Sequence, residues 1–180
     1  MHISKTWFAS LAVCLAAAGV VAAEDSMKSP AHTPQKKIES AFLNDLVGTW
    51  TTESTSNHGG VPFKGKGKTT YARGIGDTAL LQTYETELPG PDGGGKLAFY
   101  GHGVSKVSDD GRTLNVWWFC NMTSEPMKLS GPLTDDGFTI TGDGPQGKMT
   151  IELKRTPEGL AFRGTEPNGE VMTETYTRAR

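Results

Sequence analysis

The stretch that decides the fold is Lys148-Met149-Thr150-Ile151-Glu152-Leu153-Lys154. Apolar side chains occupy its odd positions, and polar or charged side chains occupy its even positions. Successive side chains of a β-strand point to opposite faces, so this alternation is typical of a strand with one buried face and one solvated face. We therefore predict a half-buried strand here, with its odd positions facing the core.

Weaker alternation of the same kind occurs on both sides of this stretch. It involves Leu80, Gln82, Tyr84 and Leu88; Leu114, Val116, Trp118, Cys120 and Met122; Phe138 and Ile140; and Leu160 and Phe162. Turn-forming residues that tolerate positive φ separate these runs, near positions 92, 110, 136, 145, 158 and 168. Closing a long meander removes its exposed edges, so we predict an all-β, antiparallel up-and-down β-barrel of about nine to ten strands.

The N-terminal region predicts an export signal followed by a tether. A run of apolar residues from Phe8 to Val21 follows Lys5 and ends at small residues, so we expect cleavage after Ala23. We interpret residues 1–23 as the signal peptide and residues 24–33 as a flexible tether. The mature protein is then periplasmic or secreted, without stable membrane insertion.

The remaining residues, 34–180, are the length of one domain. A hydroxyl and a proline at Thr33-Pro34 predict the start of a short helix. Ile38, Phe42 and Leu46 follow at a spacing of four residues and predict one apolar stripe on that helix. We therefore expect this helix to pack on the barrel, and we expect a monomer.

Charge and cysteine content exclude several classes of protein. The 180 residues carry 18 Lys and Arg against 20 Asp and Glu, a net charge of −2, which argues against a polybasic nucleic-acid binder. Loss of the signal removes Cys14 and leaves Cys120, so no internal disulfide is expected.

We expect no cofactor and no metal. The glycine-rich stretches at 90–96 and 142–147 resemble nucleotide-binding loops, but each leads into a strand rather than a helix. His32, His58 and His102 are too far apart in the sequence to form a metal-binding motif. No catalytic motif is present, so an enzyme is less favoured than a binding protein.

The candidate ligand-binding residues are aromatic side chains on predicted strands, together with one histidine. His102 stands between two glycines, which allow close approach of another group, so it is either a ligand contact or an outward-facing strand residue. Trp117 and Trp118 point to opposite faces, and one of them is expected in the core. The full set is Tyr71, Tyr84, Tyr100, His102, Trp117 and Trp118.

Several motifs, in their order along the chain, resemble known families. Leu46-Val47-Gly48-Thr49-Trp50 resembles the Gly-x-Trp opening of lipocalins and other calycins, in which the tryptophan closes one end of the barrel. Gly101-His102-Gly103-Val104-Ser105, then Val116-Trp117-Trp118, the stretch 133–142 and the ending Glu174-Thr175-Tyr176-Thr177-Arg178 resemble an uncharacterised bacterial exported family, domain of unknown function fifteen-seventy-nine. The resemblance covers residues 38–180 and implies a calycin-like barrel. It also implies that Gly48 and Trp50 have a structural role and close one end of the barrel. It supplies no established activity.

Four functional hypotheses follow. The leading one is non-catalytic binding of a small apolar or amphipathic ligand inside the barrel. One alternative is a haem-binding barrel that uses His102, although haem-binding relatives use a histidine late in the chain and no histidine follows His102 here. The others are an enzyme of unrecognised type and a filled structural or interaction barrel without a ligand.

Overall fold

The chain folds into a closed sheet of ten strands. The computed structural model describes residues 35–58, 61–90, 95–144 and 146–180. The elements are α1 Ala41–Leu46, β1 Gly48–His58, β2 Val61–Gly74, β3 Ala79–Pro89, β4 Lys96–Val107, β5 Thr113–Cys120, β6 Met127–Pro132, β7 Gly137–Gly144, β8 Gly147–Thr156, β9 Gly159–Thr165 and β10 Val171–Arg178. Each strand pairs antiparallel with the next, and β10 pairs with β1. The predicted all-β, up-and-down barrel with a short N-terminal helix is confirmed.

The register of the strands fixes which side chains point into the barrel. Directly paired residues of an antiparallel sheet face the same side. Ile151 lies opposite Ile140, and Leu153 lies opposite Phe138. Ile140 and Leu153 are both buried, which confirms that the odd positions of β8 face the core.

The helix begins later than the sequence predicts. Residues 35–40 are not helical, and α1 starts after Ser40, whose hydroxyl accepts a hydrogen bond from the Leu43 backbone N–H at 3.3 Å. The preceding segment is held by the barrel instead, because the Ile38 N–H donates to the Asp77 carbonyl oxygen at 3.0 Å. Ile38 is buried as expected, but it lies before the helix rather than on it. The predicted start at Thr33-Pro34, the signal at 1–23 and the tether at 24–33 lie outside the described residues.

One end of the barrel is closed by this segment, and we call it the helix end. Phe42, Leu43 and Leu46 are fully buried there. Trp50 lies beneath the helix, and its indole Nε1 donates to the Leu46 carbonyl oxygen at 2.8 Å. The Arg178 guanidinium lies 4.4 Å from the centre of the Trp50 ring and donates to the Val47 carbonyl oxygen at 3.0 Å.

The opposite end, which we call the open end, is lined differently. Among the residues that the structure describes, no helix lies across it. The inward-facing side chains nearest to it are half-buried: Phe63, Leu88, Phe99, Trp118, Met127, Met149, Phe162 and Met172. These side chains are less completely covered than Phe42, Leu43 and Leu46 at the helix end, although Trp118, Met127, Met149 and Phe162 also pack against the core.

Two local predictions differ from the structure. Met122 was expected on the same strand face as Cys120, but β5 ends at Cys120 and Met122 is exposed in the following turn. The strand ends there because the Asn121 side chain bonds to β4, donating from Nδ2 to the Ala98 carbonyl oxygen and accepting from the Tyr100 N–H. The β2–β3 hairpin was not predicted, although Gly76-Asp77 signals a turn and both residues have positive φ.

Candidate functional site inside the barrel

Three of the predicted ligand-binding residues point into the barrel. Tyr71 and Tyr84 are buried, and Trp118 is half-buried against the inner face of Gly101 and Gly103. The Tyr84 ring lies 6.4 Å from that of Trp118, measured between ring centres. A Cβ atom at Gly101 would come within 2.1 Å of the Trp118 ring, so the glycine is required for the tryptophan to lie flat there.

The other three predicted residues point away from the interior. Tyr100, His102 and Trp117 occupy the alternate positions of β4 and β5, where Tyr100 is 53% exposed and His102 is exposed. These three candidates therefore do not line the interior: His102 follows the outward-facing alternative, Trp118 rather than Trp117 is the tryptophan that faces the core, and Tyr100 lies on the outer face. Alternation identifies the inner face only where the apolar side chains keep to one face, as in β8; in β4 and β5 aromatic side chains occupy both faces. A haem inside the barrel therefore cannot be held by His102.

The predicted closure residues lie at the helix end. Trp50 packs under α1, as described above, and Gly48 has φ of +130°, a value that favours glycine. A Cβ atom at Gly48 would also come within 2.7 Å of the Arg178 guanidinium. The site that could hold a ligand is therefore separate from these two residues.

The central group of the interior is one that the sequence analysis did not select. Glu174 points inward from β10 and is only 3% exposed. It lies between Met172 and Tyr176 in the inward register, directly opposite Ser54 on one side and Phe162 on the other. Glu174 could have been identified because it occupies the same strand face as Met172 and Tyr176, and a buried carboxylate is rare unless it is paired.

Tyrosine hydroxyl groups surround the Glu174 carboxyl group. The Tyr84 hydroxyl donates a short hydrogen bond to Glu174 Oε1 across the barrel. The Tyr176 hydroxyl interacts with the same carboxyl group from the same strand. Tyr71 is close enough to Glu174 for the carboxylate charge to raise its pKa, and its hydroxyl interacts with the Thr69 hydroxyl. The carboxyl group is thus positioned by phenols.

Burial controls the protonation of this cluster. Loss of water around Glu174 raises its pKa above the ordinary value, and the interactions with Tyr84 and Tyr176 oppose that rise. Burial, followed by the nearby Glu174 charge, raises the pKa values of Tyr71, Tyr84 and Tyr176. The three phenols therefore remain neutral hydrogen-bond donors near pH 7.

Two hydroxyl groups beside this cluster lack partners. Ser54 faces Glu174 and Thr52 faces Tyr176 across the β1–β10 pairing. Both side chains are buried, at 5% and 1% exposure, and within the described part of the chain neither hydroxyl oxygen has a hydrogen-bond partner. The Thr52 hydroxyl lies near enough to lower the pKa of Tyr84, but it does not meet hydrogen-bond geometry. Buried polar groups are nearly always satisfied, so these two require an explanation.

Two concave surfaces lie elsewhere on the molecule. A groove of about 360 Å³ runs over the outer face of β8, β9, β10 and β1, where Ala161, Thr173 and Thr175 leave room between charged side chains. A cleft of about 450 Å³ lies at the helix end beside Arg155, which pairs with Asp45 at 2.8 Å. Neither is lined by Ser54 or Thr52, whose hydroxyl groups lack partners.

The described residues offer no ready metal site, since no three or more His, Cys, Asp or Glu side chains gather among them. Within the same residues, no helix combines the length and the apolar character needed to cross a membrane. The chemistry that the interior does offer is one carboxyl group, neutral phenols and free hydroxyl oxygens.

The comparison with solved structures supports the fold. The chain is similar to the crystal structure of Rv2717c from M. tuberculosis, with a TM-score of 0.60 and 14% sequence identity. The match covers 77% of this chain and 96% of that one. A scan against protein-family models and a search of the curated proteins find no match. At this identity, the likeness concerns the architecture of the barrel alone.

Proposed function

We propose that the protein is an exported, non-catalytic binder of a small amphipathic molecule, and that the open half of the barrel is its binding site. The apolar part of the ligand lies among the half-buried side chains of the open end. Its polar head reaches the level of Glu174, Ser54 and Thr52. The resemblance to the exported calycin-like family agrees with this proposal.

The observation that carries the proposal is the pair of buried hydroxyl groups without partners. An unsatisfied buried hydroxyl costs about 1–3 kcal/mol. Ser54 and Thr52 lie side by side in the inward register of β1, next to a carboxyl group. A ligand head that hydrogen-bonds to both would remove that cost on binding. In a barrel that is filled only by its own side chains, the unpartnered Ser54 and Thr52 hydroxyl groups would lower stability with no compensating contact.

The surrounding side chains suit an apolar tail. Met127 and Met149 approach each other near Gly144, and Phe162 stacks on Tyr176 with 6.3 Å between ring centres. Methionine side chains adapt to irregular shapes, and aromatic rings provide large apolar surfaces. Pockets that are mostly apolar, with a few placed polar groups, are typical of small-molecule sites.

The first test is native mass spectrometry of the protein purified from its own host. We expect a mass above that of the processed chain, which disappears on denaturation. The matched variants are Gly164→Leu and Ala161→Leu, on the inner and outer faces of β9. A Cβ atom at Gly164 would have only the Phe162 ring within 4 Å, at 3.3 Å, and no backbone atom, so leucine is placed there to take up internal space.

The variants separate the interior from the outer groove. We expect Gly164→Leu to abolish the excess mass and Ala161→Leu to retain it. Loss of the excess mass in Ala161→Leu alone would place the ligand in the outer groove and contradict the proposal. A bare mass in the wild type, together with no binding of added amphiphiles, would favour a filled structural barrel.

A further inference from the structure

Resting on the proposed function, we infer that the head group of the ligand is a primary ammonium group. The site presents one carboxylate and two free hydroxyl oxygens on neighbouring strands, at Glu174, Ser54 and Thr52. A primary ammonium group has three N–H donors and no acceptor, so it can donate one hydrogen bond to each of these three acceptor groups.

The first argument is the isolation of the carboxyl group. Glu174 takes part in none of the ion pairs formed by the described residues. The arginines in the inward register are Arg73, Arg155 and Arg178, and all three lie at the helix end. Arg73 and Arg178 bond to backbone carbonyl oxygens of the N-terminal segment, and Arg155 pairs with Asp45. No lysine occupies an inward position among the described strands.

The second argument is energetic. A buried carboxylate without a countercharge is unfavourable, and the phenol interactions offset only part of that cost. A cation delivered by the ligand supplies the missing charge in a site of low dielectric. An anionic head would instead meet Glu174 at close range, and a neutral head would leave the charge unpaired.

The third argument is the aromatic surround. Tyr84 packs edge-on against Phe99, with 5.9 Å between ring centres, and at a tilt against Trp118, with 6.4 Å between ring centres. Phe162 and Tyr176 stack on the side of β9 and β10. The negative faces of aromatic rings attract ammonium groups. The hydroxyl oxygens of Ser54 and Thr52 add directed acceptors, which favour a primary ammonium over a fully alkylated one.

Calorimetric titration with octylamine, octanol and octanoate tests the inference, because the three share one tail and differ in the head. At pH 7 we expect octylamine to bind at least about tenfold more tightly than octanol, a difference that corresponds to about 1.4 kcal/mol, and octanoate to bind most weakly. Glu174→Gln should bring octylamine to within about threefold of octanol and leave octanol almost unchanged.

Two further variants complete the design. Glu53→Gln removes a carboxylate from the adjacent outer face, where Glu53 pairs with Lys66 at 3.3 Å, and it should leave the preference for the amine intact. Ser54→Ala should weaken octylamine severalfold and serves as the second probe if Glu174→Gln does not fold.

The outcomes distinguish the inference from the proposal beneath it. Equal binding of octylamine and octanol, both blocked by Gly164→Leu, would overturn the inferred head group and leave the binding function standing. Tightest binding of octanoate would do the same. Failure of all three compounds to bind would overturn both.

Discussion

The two halves of the barrel differ in how fully their inward side chains are buried and in whether their polar groups have partners. At the helix end, Phe42, Leu46, Leu80 and Leu114 are at most 2% exposed, and the indole of Trp50 has a backbone partner. In the open half, most inward apolar side chains are half-buried and Leu97 is 37% exposed, whereas at the helix end only Val107 and Phe138 of the described strands are half-buried. That half also contains a lone carboxyl group and two unpartnered hydroxyl groups.

This difference indicates that the helix end contributes more to the stability of the fold than the open half does. Dense packing and satisfied polar groups contribute stability, whereas unsatisfied polar groups and incomplete packing lower it. The helix end therefore supplies most of the stability that keeps the strands of the open half in position.

The largest effect is expected from emptying the helix end. Phe42 is fully buried and packs edge-on against Phe138, with 6.2 Å between ring centres. Phe42→Ala should lower the free energy of unfolding by about 3–5 kcal/mol, because it removes buried apolar surface and leaves a cavity. Urea-induced unfolding measures this loss.

Phe119 on the outer face of β5 is the matched site. It is 47% exposed, so Phe119→Ala should cost less than about 1 kcal/mol. Equal losses in the two variants would show that the helix end is not the stabilising half.

An intermediate effect is expected from the pH dependence of the open half. The folded state holds the Glu174 proton more tightly than the unfolded state, whose pKa is near the ordinary value of 4.5. The stabilisation linked to this group is therefore present at low pH and is lost as pH rises from about 4.5 through the higher pKa of the folded protein.

Glu174→Gln removes that loss, so the variant should be more stable than the wild type at neutral pH and should converge on it in acid. Urea unfolding at a series of pH values measures the difference. Glu53→Gln, on the exposed outer face, should follow the wild-type profile. A Glu174→Gln variant that loses stability as pH rises as steeply as the wild type would contradict the assigned burial.

The smallest effect on stability is expected at the unpartnered hydroxyl groups. Thr52→Val keeps the shape of the side chain and deletes a hydroxyl that has no partner, so the free energy of unfolding should stay the same or rise by up to about 1 kcal/mol. Thr69→Val is the contrast, since the Thr69 hydroxyl donates to the Thr83 carbonyl oxygen at 2.9 Å.

Thermal unfolding of the two valine variants without ligand gives the comparison. The Thr69→Val variant should be the less stable of the pair. A clear loss of stability in Thr52→Val would mean that its hydroxyl is satisfied in the free protein, which would remove one support for the binding site.

The sequence predicts the fold better than it predicts the site, for a physical reason. Alternation such as that of 148–154 reports the local geometry of a strand, and turn residues report where strands end, so the barrel follows from neighbours in the sequence. Which face is inside depends on closure of the whole sheet. For this reason the sequence left open whether His102 faces outward and which of Trp117 and Trp118 faces the core.

The Glu174 cluster shows the same limit. Its hydrogen-bond partner Tyr84 and its cross-strand neighbour Ser54 lie on β3 and β1, far away in the sequence. Only closure of the sheet, through the pairing of β1 with β10, brings them together. The position of Glu174 between Met172 and Tyr176 is visible in the sequence. Its burial and its lack of a cationic partner are visible only in the folded barrel.

The most direct test of the central claim is a methionine-methyl NMR titration with octanol, a neutral amphiphile that does not depend on the inferred ammonium head. Met127, Met149 and Met172 point into the open half, and Met122 is exposed in the turn after β5. We predict progressive shifts of the three inward methyl signals and no comparable shift of Met122. Unchanged inward signals under saturating octanol would contradict the account.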